Sequence, residues 1–121
     1  MTKHTRGLAL VTGASRGIGR AIARRLADDG YSIIGTYVRD TEAAERVAAE
    51  TGAAMYQIDL GHPAEIDRLI ESLSDRTILA LVNNAGVFSY EDAFGFDDAH
   101  WRRVMSVNLD AIAHLTLGLQ H

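Results

Sequence analysis

Cysteine is missing from this chain, proline and lysine occur once each (Pro63 and Lys3), and no apolar run approaches the length that spans a bilayer. The first absence excludes a disulfide framework and thiolate chemistry, and permits a reduced compartment without requiring one. The last argues against a membrane-spanning helix. Met1 to Arg6 is short and polar, without the apolar stretch of a secretory signal, so a cytoplasmic protein is expected. Positive charge is in deficit as well: 12 Lys and Arg against 16 Asp and Glu leave a net charge of −4, which argues against nucleic acid or a membrane surface as partner. No repeat, low-complexity tract or linker interrupts the chain. Residues 1–121 therefore read as one domain, with 47% hydrophobic residues to build its core, and no metal site is expected.

What the chain does have is concentrated between Leu8 and Gly30. The run Leu8, Ala9, Leu10, Val11 is too short for a helix and ends at Thr12, and glycines follow at Gly13, Gly17 and Gly19 before a helical pattern sets in. The spacing predicts a buried strand, a glycine turn and a helix. That helix is expected to bury Ile18, Ile22 and Leu26, with Ala23 and Ala27 on the same side, and to turn Arg20, Arg24 and Asp28 outward until Gly30 closes it. The first N–H groups of a helix lack internal partners and sit at the positive end of its dipole, so an anion is stabilised there when no side chain stands in the way. Glycines at this turn let phosphates reach the backbone. The spacing differs from G-x-G-x-x-G, because Ser15 and Ile22 stand where two of its glycines would be.

Further along, Tyr31 to Thr36 reads as a second strand and Ala53 to Ile58 as a third. Thr41 is placed to cap a helix that runs to Glu50 and stops at Gly52. Pro63 suits the first position of a third helix, whose inner face would be Ile66, Leu69, Ile70 and Leu73. Thr77 to Val82 is apolar almost throughout, as a strand covered on both faces should be. Such alternation implies an α/β fold with right-handed crossovers and a parallel sheet. Val87 to Phe96 reads as an irregular aromatic loop, and Asp97 or Asp98 starts a last helix. Its buried face is read as Trp101, Val104, Met105, Asn108 and Ile112. Asn108 is out of character on such a face: a buried amide must find partners or cost on the order of 1–3 kcal/mol.

The segment Thr12-Gly13-Ala14-Ser15-Arg16-Gly17-Ile18-Gly19 resembles the cofactor signature of the short-chain dehydrogenase/reductase family, and Asn83-Asn84-Ala85-Gly86 and Asn108 match two further marks of that family in the same order. The resemblance spans most of the chain and is of the 3-oxoacyl reductase type. It implies a Rossmann-like doubly wound parallel sheet of four strands in the order 3-2-1-4, with helices on both faces and the cofactor over the carboxyl ends of the strands. It implies cofactor contacts from Gly13, Ser15, Arg16, Gly17, Ile18 and Gly19 in the turn, from Asp59 and Leu60 after the third strand, where the base would lie, and from Asn83, Ala85 and Gly86 after the fourth. Asn108 would be the family's active-site asparagine. The reaction implied is hydride transfer between the nicotinamide and a carbonyl or alcohol carbon of a small substrate.

The choice of cofactor turns on the end of the second strand, which carries Gly35 and Thr36 and no carboxylate that would select a ribose 2′-hydroxyl. Arg16 and Arg39 are placed to meet a 2′-phosphate, so NADP(H) is favoured. Asp40, about twenty residues past Gly19, keeps NAD(H) as the alternative, although four residues beyond the strand it reads as a helix cap.

The family's chemistry also uses a Ser, a Tyr and a Lys four residues after that Tyr. Here the only lysine is Lys3, and Tyr31, Tyr37, Tyr56 and Tyr90 are followed four positions on by Gly35, Thr41, Leu60 and Phe94. The chain is accordingly expected to be the truncated, cofactor-binding half of a longer reductase, inactive by itself and homo-oligomeric in its full-length form. The alternative is a non-catalytic nucleotide-binding module.

Overall fold

The computed structural model describes residues 5–87 and 97–120. Four strands, β1 (Leu8–Val11), β2 (Ser32–Tyr37), β3 (Ala54–Gln57) and β4 (Ile78–Val82), pair in parallel in the order β3-β2-β1-β4. Between them run α1 (Gly17–Asp28), α2 (Thr41–Thr51) and α3 (Pro63–Ser72), and α4 (Asp98–Met105) continues through a π-helical turn at Ser106–Asp110 into α5 (Ala111–Gly118). This is the parallel α/β sheet that the alternation implied, in the doubly wound order that the family resemblance implied.

Side-chain alternation along the central strand divides the core into two layers. Ala9 and Val11 of β1 face α1 and α2, where Ala14, Ala23 and Val47 complete a cluster of small residues that lets those helices lie close to the sheet. Leu10 faces the other way, into a larger cluster built from Ile66, Leu69 and Leu73 of α3 and from Val107, Ala111, Leu115 and Leu119. Polar contacts secure the outer edges: Arg20 and Arg24 of α1 both reach Glu50 of α2, and the Arg20 hydrogen bond is the main reason that the Glu50 carboxyl titrates below its ordinary range.

Several local expectations are corrected. The cap of α2 is Asp40, whose carboxylate accepts from the Ala43 amide at 2.9 Å, and Thr41 is already helical. Strand β2 extends one residue further than read, to Tyr37, and still ends without a carboxylate. Ile18 is 74% exposed: it sits in the first turn of α1, beyond the sheet, and Gly19 and Ala23 take the buried positions. Leu79 is exposed because the β1–β4 register slips by one between Leu8 and Ala9, so that Ile78 and Ala80 find partners and Leu79 is left out. Trp101 is 52% exposed and Asn108 is exposed too; the buried stripe begins at Val107 and recurs every four residues. Other signals hold, including Pro63 in the first turn of α3, Gly52 at φ 74° after α2, and Asp97 accepting from the Ala99 amide at 3.0 Å. The aromatic segment after Val87, Lys3 and His121 lie outside the described residues.

Gly19 is required for space, since a Cβ there would run into the Gly13 carbonyl oxygen and the Asn84 side-chain amide. Gly52, by contrast, has nothing within 4 Å of such a Cβ and only its positive φ to satisfy. Gly19→Ala is therefore expected to destabilise the protein by about 2–3 kcal/mol and Gly52→Ala by about 1 kcal/mol, read from urea midpoints. Equal losses would show that the turn is not packed as described.

Candidate functional site

The carboxyl ends of all four strands open onto one cleft of about 1000 Å³, at the point where the strand order reverses. Its floor is the turn between β1 and α1, and hydroxyl groups fix that turn from both sides. Thr12, 1% exposed, accepts through Oγ1 from the amides of Asn84 (3.0 Å) and Ala85 (2.9 Å), which ties the exit of β4 to the exit of β1. The Asn84 side chain donates from Nδ2 to the carbonyls of Thr12 and Gly13, both at 3.1 Å. On the other flank, Thr36 of β2 accepts through Oγ1 from the Gly13 amide at 3.2 Å, and its carbonyl accepts from the Ala14 amide at 2.9 Å.

Held in this way, the chain turns into α1 through Gly17, whose φ of 59° suits a residue without a Cβ. No side chain caps α1 and its first turn carries no acid, so the orphan N–H groups of that turn are left to the cleft. Arg16 and Arg39 both line the cleft and are exposed; among the described residues neither has an ion-pair partner. The Asp40 carboxylate is engaged at the start of α2.

At the far end, Asp59 follows β3. Its Oδ1 accepts from the Gly61 amide at 2.9 Å and from Arg103 Nη1 of α4 at 3.1 Å, while Oδ2 lies 3.2 Å from the same Nη1 and 3.4 Å from His62 Nε2. Partial burial alone would raise this carboxyl, but the Gly61 amide and the Arg103 guanidinium outweigh it and hold Asp59 below the usual carboxylate range.

Of the residues singled out from the sequence, Gly13, Ser15, Arg16, Gly17, Ile18, Arg39, Asp59, Leu60, Ala85 and Gly86 meet in this cleft. Gly19 is buried beneath the turn, and Asn83 is exposed and outside the lining, with Asn84 in the inner position. Asn108 is also outside the lining. It lies in the π-helical turn and pairs with the backbone of Val87 in both directions, Oδ1 accepting from the amide and Nδ2 donating to the carbonyl, each at 2.8 Å. Its amide has thus found its partners, and not within the apolar core.

Sequence reasoning missed Thr12 and Thr36 as hydroxyl clamps, and His100 and Arg103 as a wall. The spacing of His100, Arg103 and Val107, three and then four residues apart, places them on one helix face and was the available signal. Among the described residues no three His, Cys, Asp or Glu side chains converge to hold a metal ion, and no helix is long and apolar enough to cross a membrane.

A carboxyl whose pKa is depressed by folding adds stability above its unfolded value, and that stability is lost as pH falls through the folded one. Asp59→Asn is therefore expected to cost about 0.5–1 kcal/mol at pH 7, with solvent screening allowed for. The gap to wild type should close as pH drops below about 4. Urea unfolding at both pH values checks this, and a gap independent of pH would refute it.

The chain matches the profile of the short chain dehydrogenase family over residues 7–120. It is 37% identical over 112 residues to 2-dehydro-3-deoxy-D-gluconate 5-dehydrogenase of Bacillus subtilis, covering 89% of this chain and 44% of that protein. With 3-oxoacyl-[acyl-carrier-protein] reductase of Synechocystis it shares 36% over 119 residues, covering 93% and 48% respectively. Among solved structures, a short chain dehydrogenase from Burkholderia cenocepacia in complex with NADP superposes with a TM-score of 0.90 at 30% identity, covering 98% of this chain and 51% of that one. The chain thus spans about half the length of the relatives it matches. With an extended match along the sequence and the same sheet around the same turn, this protein belongs to the short chain dehydrogenase family.

Proposed function

We propose that this chain holds NADP(H) along the cleft, as the cofactor-binding part of an oxidoreductase that moves hydride between the nicotinamide and a small carbonyl or alcohol substrate. The observation that carries this reading is the uncapped N-terminus of α1, reached over Gly17 and Gly19 and flanked by Arg16 and Arg39 without ion-pair partners among the described residues. A diphosphate fits there because orphan amides, the helix dipole and an absence of Cβ atoms coincide. Gly13, Ser15 and Ile18 frame that position, and Arg16 and Arg39 supply charge-assisted donors for a 2′-phosphate. Asp40 spends one oxygen on the Ala43 amide as a helix cap, and because it also lines the cleft its other oxygen keeps NAD(H) as the alternative nucleotide. Asp59 and Leu60 take the base end, and Ala85 and Gly86 give a nucleoside close access to the backbone, with Asn83 beside them. Asn108, through Val87, fixes the strand exit next to the reacting end. When bound, the nicotinamide supplies or accepts the hydride.

The similar dehydrogenase from Burkholderia cenocepacia was solved with NADP, which supports the choice of nucleotide. A second reading, a nucleotide-binding module without catalysis, is favoured by one fact: no tyrosine among the 121 residues has a lysine four positions on. NADPH-dependent reduction of ketones and aldehydes by the chain extended with a Tyr-x-x-x-Lys segment separates the two, with turnover supporting the enzyme and binding without turnover the module.

Calorimetric titration is expected to show NADPH binding more tightly than NADH. Arg39→Ala and Arg16→Ala should each lose about tenfold toward NADPH, the worth of a hydrogen bond to a charged group, and little toward NADH. A folded protein that gives no heat with either nucleotide overturns the proposal.

A further inference from the structure

The contact between Asp59 and Arg103 joins residues 44 apart in sequence across the base end of the cleft, and the chain is shaped to admit it. Arg103 Nη1 lies over Gly61, where a Cβ would approach it to 2.5 Å and push the guanidinium aside. The same Nη1 approaches both oxygens of Asp59, at 3.1 and 3.2 Å, and the Gly61 amide holds Oδ1 from a second direction. Behind them the Glu65 carboxylate accepts from the Asp59 amide at 3.1 Å and so fixes the backbone as well. A carboxylate has about four acceptor sites. With the Gly61 amide and one guanidinium nitrogen engaged and His62 Nε2 at 3.4 Å from Oδ2, Asp59 keeps acceptor capacity for the cleft, in an orientation these groups fix.

From this geometry we propose that Arg103 is a positioning residue for recognition of the nucleotide base: it orients the Asp59 carboxylate so that its free acceptor positions meet the exocyclic amino group of adenine. The inference deepens the reading above and rests on it. An amino group at that point donates to the carboxylate, whereas a carbonyl oxygen there is repelled by it. Arg103 thus makes the cleft selective between bases by way of Asp59.

The test titrates the protein with NADPH and with its hypoxanthine counterpart, in which a carbonyl oxygen replaces the amino group. Wild type is expected to prefer NADPH by about tenfold, the scale of one hydrogen bond to a charged group. Arg103→Met keeps an apolar stem over Gly61 and removes the guanidinium. It is expected to bind the two nucleotides within about twofold of each other, because a freed Asp59 rotates away from a single orientation. A merely structural role would weaken both nucleotides alike, so a ratio unchanged from wild type overturns the proposal even if affinity falls. Arg103→Gln, neutral but still a donor, provides the same comparison should the methionine variant fail to fold. A wild type that binds both nucleotides equally also overturns it. A folded wild type that binds neither sinks the underlying reading along with this one, whereas an unchanged ratio in the variants sinks this one alone.

Discussion

The Thr12 hydroxyl is the contact on which the rest of the site depends. It is buried at the end of the central strand and satisfies two consecutive amides, those of Asn84 and Ala85, which leave β4 with no ladder partner beyond. The Asn84 amide also has the Val82 carbonyl at 3.0 Å, but an unpaired Ala85 amide would cost on the order of 1–3 kcal/mol. Because one side chain serves both, the exits of β1 and β4 are locked together. The Asn84 amide then returns the connection by donating to the carbonyls of Thr12 and Gly13. Thr36 fixes the same turn from β2. A loop of glycines would otherwise sample many conformations; here it is clamped from two neighbouring strands and presents the start of α1 in one orientation. Preorganisation of this kind lowers the entropy lost when a ligand is bound.

Charge is distributed on the same plan. The whole chain carries −4, yet the cleft presents two arginines without ion-pair partners among the described residues, Arg16 and Arg39, beside the positive end of a helix. The two carboxylates in the lining are each partly engaged, Asp40 with the first turn of α2 and Asp59 with Arg103. A locally positive cleft in a negative protein steers anions to one place.

Much of this was legible in the sequence because it rests on local periodicity. Short apolar runs gave the strands, three- and four-residue spacing gave α3, and the glycines behind the first strand gave the turn that floors the cleft. Illegible were the features that depend on what lies across the cleft. Arg103 reads as an ordinary helix residue until β3 brings Asp59 to it. Ile18 looks buried because it shares a stripe with Ile22 and Leu26, but the sheet ends beneath it. The last helix was misread by one position for a related reason. The expected face ran through Trp101, Val104, Met105, Asn108 and Ile112, whereas the buried stripe is Val107, Ala111, Leu115 and Leu119. Both faces carry apolar residues at helical spacing, and only the position of the sheet chooses between them.

Asn108 shows how a polar residue contributes without being buried. Its amide pairs with the Val87 backbone in both directions, as a neighbouring strand would, just past the end of β4. The helix accommodates this by widening to a π-helical turn, in which the Ala111 amide donates to the Ser106 carbonyl five residues back. Apolar packing of the Val107 stripe sets how close the helix lies to the sheet, but such packing is non-directional and leaves rotation about the helix axis weakly fixed. Two polar clasps remove that freedom, Asn108 to Val87 near the exit of β4 and Arg103 to Asp59 near the exit of β3. They are separated along the helix by little more than one turn and reach opposite ends of the cleft. The helix is consequently tied to the exits of β4 and β3 by directional bonds as well as by the apolar core.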